Sequence, residues 1–230
     1  MIVILKGTQR SQQAGYFERM FRLRHQIFIK ELGWPLPSSN GQEIDQYDVD
    51  DAVYFLDVTD DGILQASVRL VPSEQCSLVA DYFPHLVETG DAARDPRVYE
   101  CTRYFFLPLK GHGRDNHGAR VRVLAAMVEW GLVNRLSYIQ CVVDMTAFPG
   151  FVEMVPQTIP LGLAHPYGGG RSAPGGGECI AFRWPVTRDV VDSLRTFGRA
   201  RRRRFVGENA RDLAEQIPGH AGERSPELMH

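Results

Sequence analysis

The sequence predicts an α/β fold, a three-layer αβα sandwich on a mixed, largely antiparallel sheet. An amphipathic helical pattern lies near the N-terminus. Two strand-like runs follow it, joined by an Asp-Gly turn that is typical of an antiparallel hairpin. A third strand, a glycine-rich loop, a helix and a further strand come next in that order. Local hairpins combined with a helical crossover favour helices packed on the faces of one mixed sheet.

The N-terminal part of the chain predicts a strand, a helix and a hairpin. Residues 2–5 are apolar and β-branched, as in a strand. Residues 12–32 carry apolar side chains at helical spacing, and Pro35 forbids any continuation of that helix. Strands are predicted over 53–58 and 63–71, with the turn at 59–62. A loop over 38–51 precedes the hairpin and carries five carboxylates, on Glu43, Asp45, Asp48, Asp50 and Asp51.

The C-terminal part predicts further strands and two helices. Residues 72–96 are expected to form an irregular connection, and 97–107 a long strand whose regular alternation puts Glu100 and Arg103 on opposite faces. A glycine-rich basic loop over 110–118 leads to a helix over 119–136 and a buried strand over 137–145. After a short helical segment and a glycine-rich loop over 168–177, the last strand is predicted over 178–184. Thr187 is expected to cap a final helix, and residues 207–230 to form a polar, flexible extension.

Composition restricts the possible functions. The 230 residues are 43% hydrophobic and 23% charged, as in an ordinary globular protein with a sizeable core. The net charge of −2 gives no general attraction to nucleic acid. No apolar run reaches membrane-spanning length and no secretory signal is recognisable, so we expect a cytoplasmic protein without a membrane span. The four cysteines form no CxxC pair, which argues against a zinc site or a disulfide framework.

Two arginines in apolar surroundings suggest a buried ion network. Arg24 lies among apolar residues of the predicted helix, and a buried guanidinium needs a carboxylate partner. The acidic loop can supply one, although a surface helix with solvated charges explains the same pattern. Arg69 lies on the more polar face of the returning hairpin strand and is a candidate partner for Asp45 or Asp48. A solvent-facing arginine is the alternative there.

Three other features suggest chemistry. Glu100, between Tyr99 and Cys101, is a candidate base with a raised pKa, and the alternative is a structural ion pair with Arg69 or Arg97. The loop at 110–118 could bind a phosphate or a phosphopantetheine arm at a helix N-terminus, or be a plain surface loop. The basic run at 199–204 could dock an acidic protein, or be a solvated helix end.

Several segments together resemble the acyl-homoserine-lactone (autoinducer) synthases. They are FRLRHQIF, EIDQYDVDDAVYFL, GILQASVRL and YECTRYFF, with Trp34 after the helix and Phe83 in DYFPHL. The resemblance covers roughly 21–145 and is specific, because order, spacing and flanking residues fit together. It implies a fold like that of the GCN5-type N-acetyltransferases. The polar composition from 207 onward puts the end of the single synthase domain at 206.

The resemblance also implies a two-step reaction that makes a quorum-sensing signal. The amine of S-adenosylmethionine attacks an acyl thioester and releases the thiol. The methionine carboxylate then attacks its own γ-carbon, which closes the lactone and releases methylthioadenosine. The catalytic residues implied are Arg24, Asp45, Asp48, Arg69, Glu100 and Arg103, with Glu100 as the base. The substrate-binding residues implied are Phe28, Trp34, Phe83, Phe105, Cys141 and Val143.

Partners and alternatives follow from the same resemblance. Phe28 and Trp34 would wall the adenosylmethionine pocket, and Cys141 favours an unsubstituted acyl chain. The acyl donor would be acyl-acyl carrier protein or acyl-coenzyme A, with no metal and no resident cofactor in a monomeric enzyme. One alternative is a small-molecule N-acetyltransferase of the same fold that uses acetyl-coenzyme A. Another is a ligand-binding regulator with a degenerate acyl site.

Overall fold

The computed structural model describes residues 1–88, 94–107, 117–168 and 176–199. The strands in these ranges are β1 (Ile2–Lys6), β2 (Ser38–Ser39), β3 (Gln42–Glu43), β4 (Val53–Val58), β5 (Leu64–Pro72), β6 (Val98–Phe106), β7 (Tyr138–Asp144), β8 (Ile159–Pro160), β9 (His165–Tyr167) and β10 (Gly177–Pro185). The helices are α1 (Ala14–Arg24), α2 (Leu78–Tyr82), α3 (His117–Val133), α4 (Phe148–Met154) and α5 (188–199). Helix α1 continues directly into a π-helical segment, His25–Glu31.

One large sheet contains most of the strands. Its order is β1-β4-β5-β6-β7-β10-β8, with β9 beside β10, while β2 and β3 form a separate small hairpin. All neighbouring strands pair antiparallel except β6 and β7, which are parallel. A parallel pair needs a long crossover, and α3 lies in the chain between these two strands. The predicted mixed, largely antiparallel sheet is therefore confirmed.

Helices cover both faces of this sheet. Phe17, Met20 and Phe21 of α1 join a buried cluster with side chains of β4 and β5. On the opposite face α3, α4 and α5 contribute to a larger cluster with residues of β5, β7 and β10. The predicted three-layer arrangement is confirmed. The predicted hairpin is also present, and its turn closes with Gly62 at a φ of 83°.

The parallel strands β6 and β7 separate in the middle of the sheet. They pair only at Val98 with Tyr138, at Tyr99 with Ile139 and at Glu100 with Gln140. Both strands continue well beyond these residues, β6 to 106 and β7 to 144. Within the described residues the β7-facing edge of β6 therefore has no strand partner after Glu100. We call the interval between the unpaired parts of β6 and β7 the cleft, and Glu100 lies at its closed end.

A β-bulge in β6 changes which side chains share a face. Arg69 is opposite Thr102 and Ser67 is opposite Phe105, so β6 holds one extra residue in this interval. Arg103 has a φ of +51°. A bulge of this kind interrupts the alternation of side chains. Arg103 and Phe105 consequently lie on the α1 face together with Glu100, and the prediction that Glu100 and Arg103 lie on opposite faces is wrong.

The connection predicted to be irregular contains regular structure. Residues 78–82 form helix α2 and 84–86 a 3₁₀ turn. The Ser77 hydroxyl accepts a hydrogen bond from the Ala80 N–H at 3.0 Å, which is an N-cap. A serine before a short apolar run is a cap signal that the sequence itself carries. The loops predicted at 110–118 and 168–177 lie largely outside the described residues, as do nearly all of the basic run at 199–204 and the whole 207–230 extension.

The described helices include none that is both long and apolar enough to cross a membrane.

The backbone at Gly7 is tightly enclosed where β1 meets the acidic loop. The Gly7 N–H donates to the Ala52 carbonyl at 2.8 Å, and a Cβ on Gly7 would lie 2.0 Å from the Val49 carbonyl oxygen. An alanine at this position would have to push the Val49 carbonyl away, as an oversized side chain does in a packed core. We therefore expect Gly7→Ala to lower the free energy of unfolding by about 1–3 kcal/mol. Urea denaturation would measure the loss.

Gly15 supplies the matched control for this variant. It lies in α1, and a Cβ on Gly15 would meet nothing within 4 Å. Alanine is favoured over glycine in a helix by roughly 0.8–1 kcal/mol, so Gly15→Ala should leave stability unchanged or raise it. Equal stabilities for the two variants would show that the enclosure at Gly7 does not constrain the fold.

Candidate active site

A closed ring of six charged side chains lies under α1. Its members alternate in charge, in the order Arg24, Asp48, Arg69, Asp45, Arg103 and Glu43. Successive N–O distances around the ring are 2.8, 2.8, 2.6, 2.7, 3.0 and 2.6 Å. The side chains are between 0% and 9% exposed. Each ion thus has at least two partners of opposite charge, Arg24 and Asp45 being a further pair at 3.9 Å, and is almost entirely removed from water.

Hydrogen-bond geometry fixes the orientation of the ring. Arg24 holds both oxygens of Asp48, at 2.8 and 3.0 Å, and Arg69 holds both oxygens of Asp45, at 2.6 and 3.0 Å. Such two-point contacts use the planar fork of the guanidinium group. The remaining Nε of Arg69 donates to the Thr102 hydroxyl at 2.9 Å. Buried donors and acceptors are therefore satisfied from several elements at once.

The charges in the ring stabilise one another's ionised forms. Burial by itself would raise the pKa of Asp48, but Arg69 and Arg24 outweigh burial and hold it below its usual range. Burial would likewise lower the pKa of Arg24 and Arg69, and Asp48 reverses that effect in both. Desolvating six ions is costly, and the mutual attraction offsets that cost only while the set is complete.

The ring settles two alternatives left open by the sequence. Arg24 and Arg69 are each 1% exposed, so neither is a solvent-facing arginine. The ring also includes Glu43, to which the sequence pattern assigns no individual role although it stands in the same acidic run. Asp50 and Asp51 from that run lie outside the ring, nearer to solvent. The number of acids in a loop does not reveal which of them point inward.

An aromatic surface lies beside the ring. Phe28 and Trp34 stack with ring centroids 5.1 Å apart and planes 18° apart. Phe105 meets Phe28 edge-on at 6.3 Å, and the Arg103 guanidinium lies 5.7 Å from the centre of the Phe28 ring. Trp34 is 42% exposed, so this surface opens to solvent. An aromatic face next to charged groups suits a ligand that carries a cation.

Glu100 is buried at the closed end of the cleft among neutral donors. Its Oε2 accepts from the Ser77 hydroxyl at 2.8 Å and the Gln140 amide at 3.1 Å. The Val79 N–H lies 3.2 Å from Oε1 and 3.3 Å from Oε2. Burial raises the pKa of Glu100, although these donors act in the opposite direction. The alternative ion pair with Arg69 or Arg97 is wrong, since the contacts of Glu100 in the described chain are neutral.

Helix α2 connects Glu100 to the acidic loop. Ser77, at its N-terminus, contacts Glu100, and Asp81 near its C-terminus accepts from the Tyr47 hydroxyl at 3.0 Å. Tyr47 lies between ring members Asp45 and Asp48, and its N–H donates to Asp45 at 2.9 Å. The candidate base and the ion ring are thus joined through one short helix.

An apolar cavity lies on the other face of the sheet, where β6 and β7 separate. The residues that line it include Cys101, Cys141, Leu124, Met127, Phe182 and Trp184. Its free volume is about 10 Å³, close to the smallest cavity that can hold one water molecule. The pKa of the Cys141 thiol is raised well above its usual value by its hydrogen bond with Cys101 and by burial. Both thiols are free.

The structure places the predicted site residues in three groups. The ring residues Arg24, Asp45, Asp48, Arg69 and Arg103 lie together on the α1 face, with Phe28, Trp34 and Phe105 beside them. Glu100 lies at the closed end of the cleft, and Phe83 packs against a separate small cluster next to α2. Cys141 lines the apolar cavity, and Val143 packs on the core of that same face. The roles assigned to these residues remain predictions.

No group of three or more His, Cys, Asp or Glu side chains in the described ranges is arranged to hold a metal ion.

Truncating Arg24 should destabilise the protein strongly. Arg24→Ala leaves Glu43 and Asp48 buried with reduced compensation, and breaking a buried ion pair costs about 3–5 kcal/mol. Arg22→Ala is the control, because Arg22 forms only an exposed pair with Glu18 one turn away. Its loss should stay within roughly 0.5 kcal/mol. If denaturation shows similar losses for both variants, the ring does not hold the fold together.

Comparison with known proteins supports one family. The sequence profile of the family described as "Autoinducer synthase" matches residues 8–148. The isovaleryl-homoserine lactone synthase of Bradyrhizobium diazoefficiens is 30% identical over 164 residues, which are 71% of this chain and 73% of that protein. Among solved structures, the CoA-dependent acyl-homoserine lactone synthase BjaI, with SAM and isopentyl-CoA, matches with a TM-score of 0.72 at 27% identity. That match covers 86% of this chain and 89% of BjaI.

A more distant structure bears on the fold alone. A protein from Lactobacillus plantarum assigned to the N-acetyltransferases matches with a TM-score of 0.51 at 16% identity, covering 81% of this chain and 99% of that one. The predicted likeness to N-acetyltransferases is thereby confirmed for the fold, while the acetyltransferase activity gains no support. The chain belongs to the autoinducer synthase family and is an acyltransferase of the acyl-homoserine-lactone synthase type.

Proposed function

We propose that the protein joins S-adenosylmethionine to the acyl group of an acyl-coenzyme A and closes the product to an acyl-homoserine lactone. The observation that carries this proposal is the position of Glu100. Its neighbour Cys101 lines the apolar cavity on one face of the sheet, and Arg103, three residues further along β6, contacts the aromatic surface on the other face. A cationic amino acid derivative suits the aromatic surface, and an acyl group suits the apolar lining of the cavity once its side chains repack.

The sequence leaves two acyl donors open, and BjaI guides the choice between them. Its structure is that of a CoA-dependent synthase with SAM and isopentyl-CoA, at 27% identity to this chain. We therefore propose coenzyme A rather than acyl carrier protein as the carrier of the acyl group. The phosphopantetheine arm would enter the cleft between β6 and β7, which brings the thioester close to Glu100.

In the first step the amine of S-adenosylmethionine loses a proton and attacks the thioester carbonyl. Glu100 takes the proton directly or through one water molecule. Its Oε1 is the better acceptor, because Oε2 already holds Ser77 and Gln140. A carbon–nitrogen bond forms, the carbon–sulfur bond breaks and the thiol leaves. Backbone N–H groups of β6 beyond Glu100 that face β7 are candidates to stabilise the oxyanion.

In the second step the methionine carboxylate attacks the γ-carbon of its own chain. The bond from that carbon to the sulfonium sulfur breaks, methylthioadenosine leaves and the lactone ring closes. No proton needs to move, so correct positioning dominates the barrier. Phe28 and Trp34 would hold the sulfonium by cation–π attraction, and the ion ring would hold the loop that completes the pocket.

Two further predictions belong to this proposal. We propose that residues 1–206 form one synthase domain with 207–230 as an extension, since the described residues up to 199 pack on a single sheet. A cytoplasmic, monomeric enzyme is the remaining expectation, and gel filtration would test the monomer.

The decisive assay follows both released products. Purified protein is incubated with S-adenosylmethionine and a panel of acyl thioesters on coenzyme A or acyl carrier protein. Thiol and methylthioadenosine should appear in equal amounts, faster with the coenzyme A thioesters. Thiol release without methylthioadenosine would instead indicate plain acyl transfer, and a preference for carrier-protein thioesters would overturn the proposed donor.

Replacing Glu100 should slow acylation without unfolding the protein. Glu100→Gln keeps the shape of the side chain but cannot accept the amine proton, and loss of a general base typically costs about 10²–10⁴-fold in rate. Thiol release under saturating substrates measures the effect. Glu18→Gln, an exposed change on α1, is the control and should leave the rate unchanged. A Glu100→Gln enzyme with wild-type rate would remove Glu100 as the base.

A further inference from the structure

We infer that this enzyme takes a short acyl group, of butanoyl or 3-methylbutanoyl size, and that Trp184 is the residue that stops longer chains. This inference rests on the proposed function, because it treats the apolar cavity beside β6 and β7 as the place where the acyl chain lies. It adds a limit on chain length and the side chain that sets the limit.

The strand register orders the residues along the cavity, from the end at the cleft, here called the mouth, to the far end, here called the floor. Cys101 and Cys141 directly follow the last paired residues of β6 and β7, so they lie at the cleft. Phe182 of β10 is paired with Cys141 and therefore lies at the same level. Trp184 is paired with Ile139, one step further from the cleft along the same face. A chain that enters at the cysteines meets Trp184 last.

The depth available is small. Two residues on the same face of a strand are roughly 6.6–6.8 Å apart, which is the separation between the level of Cys141 and the level of Trp184. Because the terminal methyl group must stay about 3.5–4.0 Å from the indole, a straight acyl chain of about four carbons fills what remains of that length. A longer chain would have to displace the indole or bend back toward the cleft.

Trp184 is held firmly enough to act as a stop. Its ring is 2% exposed and lies 5.9 Å from both the Phe151 and the Phe182 rings. The indole N–H donates to the Thr158 hydroxyl at 2.7 Å, and that hydroxyl donates to the Val155 carbonyl at 2.6 Å. Turning the indole aside would leave a buried donor without its partner and disturb two aromatic contacts.

The opposite wall is adaptable by comparison. The free volume of about 10 Å³ is too small for any acyl group, so side chains must move when one enters. Met127 on α3 is unbranched and flexible, and methionine repacks more readily than an aromatic ring. Repacking of this α3 side can admit a short or branched group, while the aromatic floor still excludes a long one.

The test compares chain lengths in the wild-type enzyme. Methylthioadenosine release is measured with butanoyl-, 3-methylbutanoyl-, octanoyl- and decanoyl-coenzyme A at saturating S-adenosylmethionine. Since one methylene in a fitted pocket is worth about 10–200-fold in kcat/KM, we expect the short donors to exceed the octanoyl donor by more than tenfold. Equal or greater kcat/KM for octanoyl or decanoyl would overturn the inference while leaving the synthase activity intact. Absence of methylthioadenosine with every coenzyme A donor and with the matching carrier-protein thioesters would instead refute the proposed function.

Variants then test the role of Trp184. Trp184→Phe removes part of the floor, and we expect the octanoyl-to-butanoyl ratio of kcat/KM to rise at least tenfold. Thr158→Val removes the hydrogen-bond partner of the indole N–H without changing the size of the indole, and it should raise the same ratio. This second variant tests the inference even if Trp184→Phe does not fold. Trp130→Phe makes the same exchange on α3, where the ring packs against Phe55 and Tyr99. An unchanged ratio in folded Trp184→Phe or in Thr158→Val, or an equal rise in Trp130→Phe, would remove Trp184 as the stop.

Discussion

Six ions of alternating charge close a ring beneath α1, and the ring joins four parts of the chain that are distant in sequence. Arg24 comes from the helix, Arg69 from β5 and Arg103 from the bulge of β6, while the acidic loop supplies all three carboxylates. A set of buried charges of this kind gives little net stability compared with apolar packing. The ring instead restricts the acidic loop to one position, because any displacement of the loop would leave buried charges without partners.

Because of the bulge, β6 contributes side chains to three neighbouring parts of the site. Glu100 faces α2 at the end of the cleft, Arg103 enters the ring and Phe105 packs against the aromatic wall. Regular alternation would direct Arg103 and Phe105 to the α3 side. The extra residue therefore brings the candidate base, a guanidinium and an aromatic ring to the same face within a few residues.

Much of this fold could be predicted from the sequence, because helical and strand periodicities are local properties. The hairpin at 53–71 and the strand at 98–106 follow from such patterns, and so does the need of Arg24 for a carboxylate. The bulge at Arg103 leaves no periodic signal, since a single inserted residue looks like ordinary strand sequence. Glu43 could not be separated from its neighbours in the acidic run, because loop geometry decides which acids point inward. The cavity depends on β10 lying beside β7, and no local pattern predicts that pairing.

The π-helical segment after α1 places a constraint on insertions and deletions. The Leu32 N–H donates to the Ile27 carbonyl, five residues back, so this turn holds one residue more than an α-helical turn. Each residue of an α-helix turns the chain by about 100°. Deleting one residue between 25 and 27 would restore an ordinary helix and swing Phe28 away from Trp34 and Phe105, although every remaining residue type would be unchanged. The length of this segment is therefore fixed by the aromatic pocket that follows it, independently of the side chains that the segment carries.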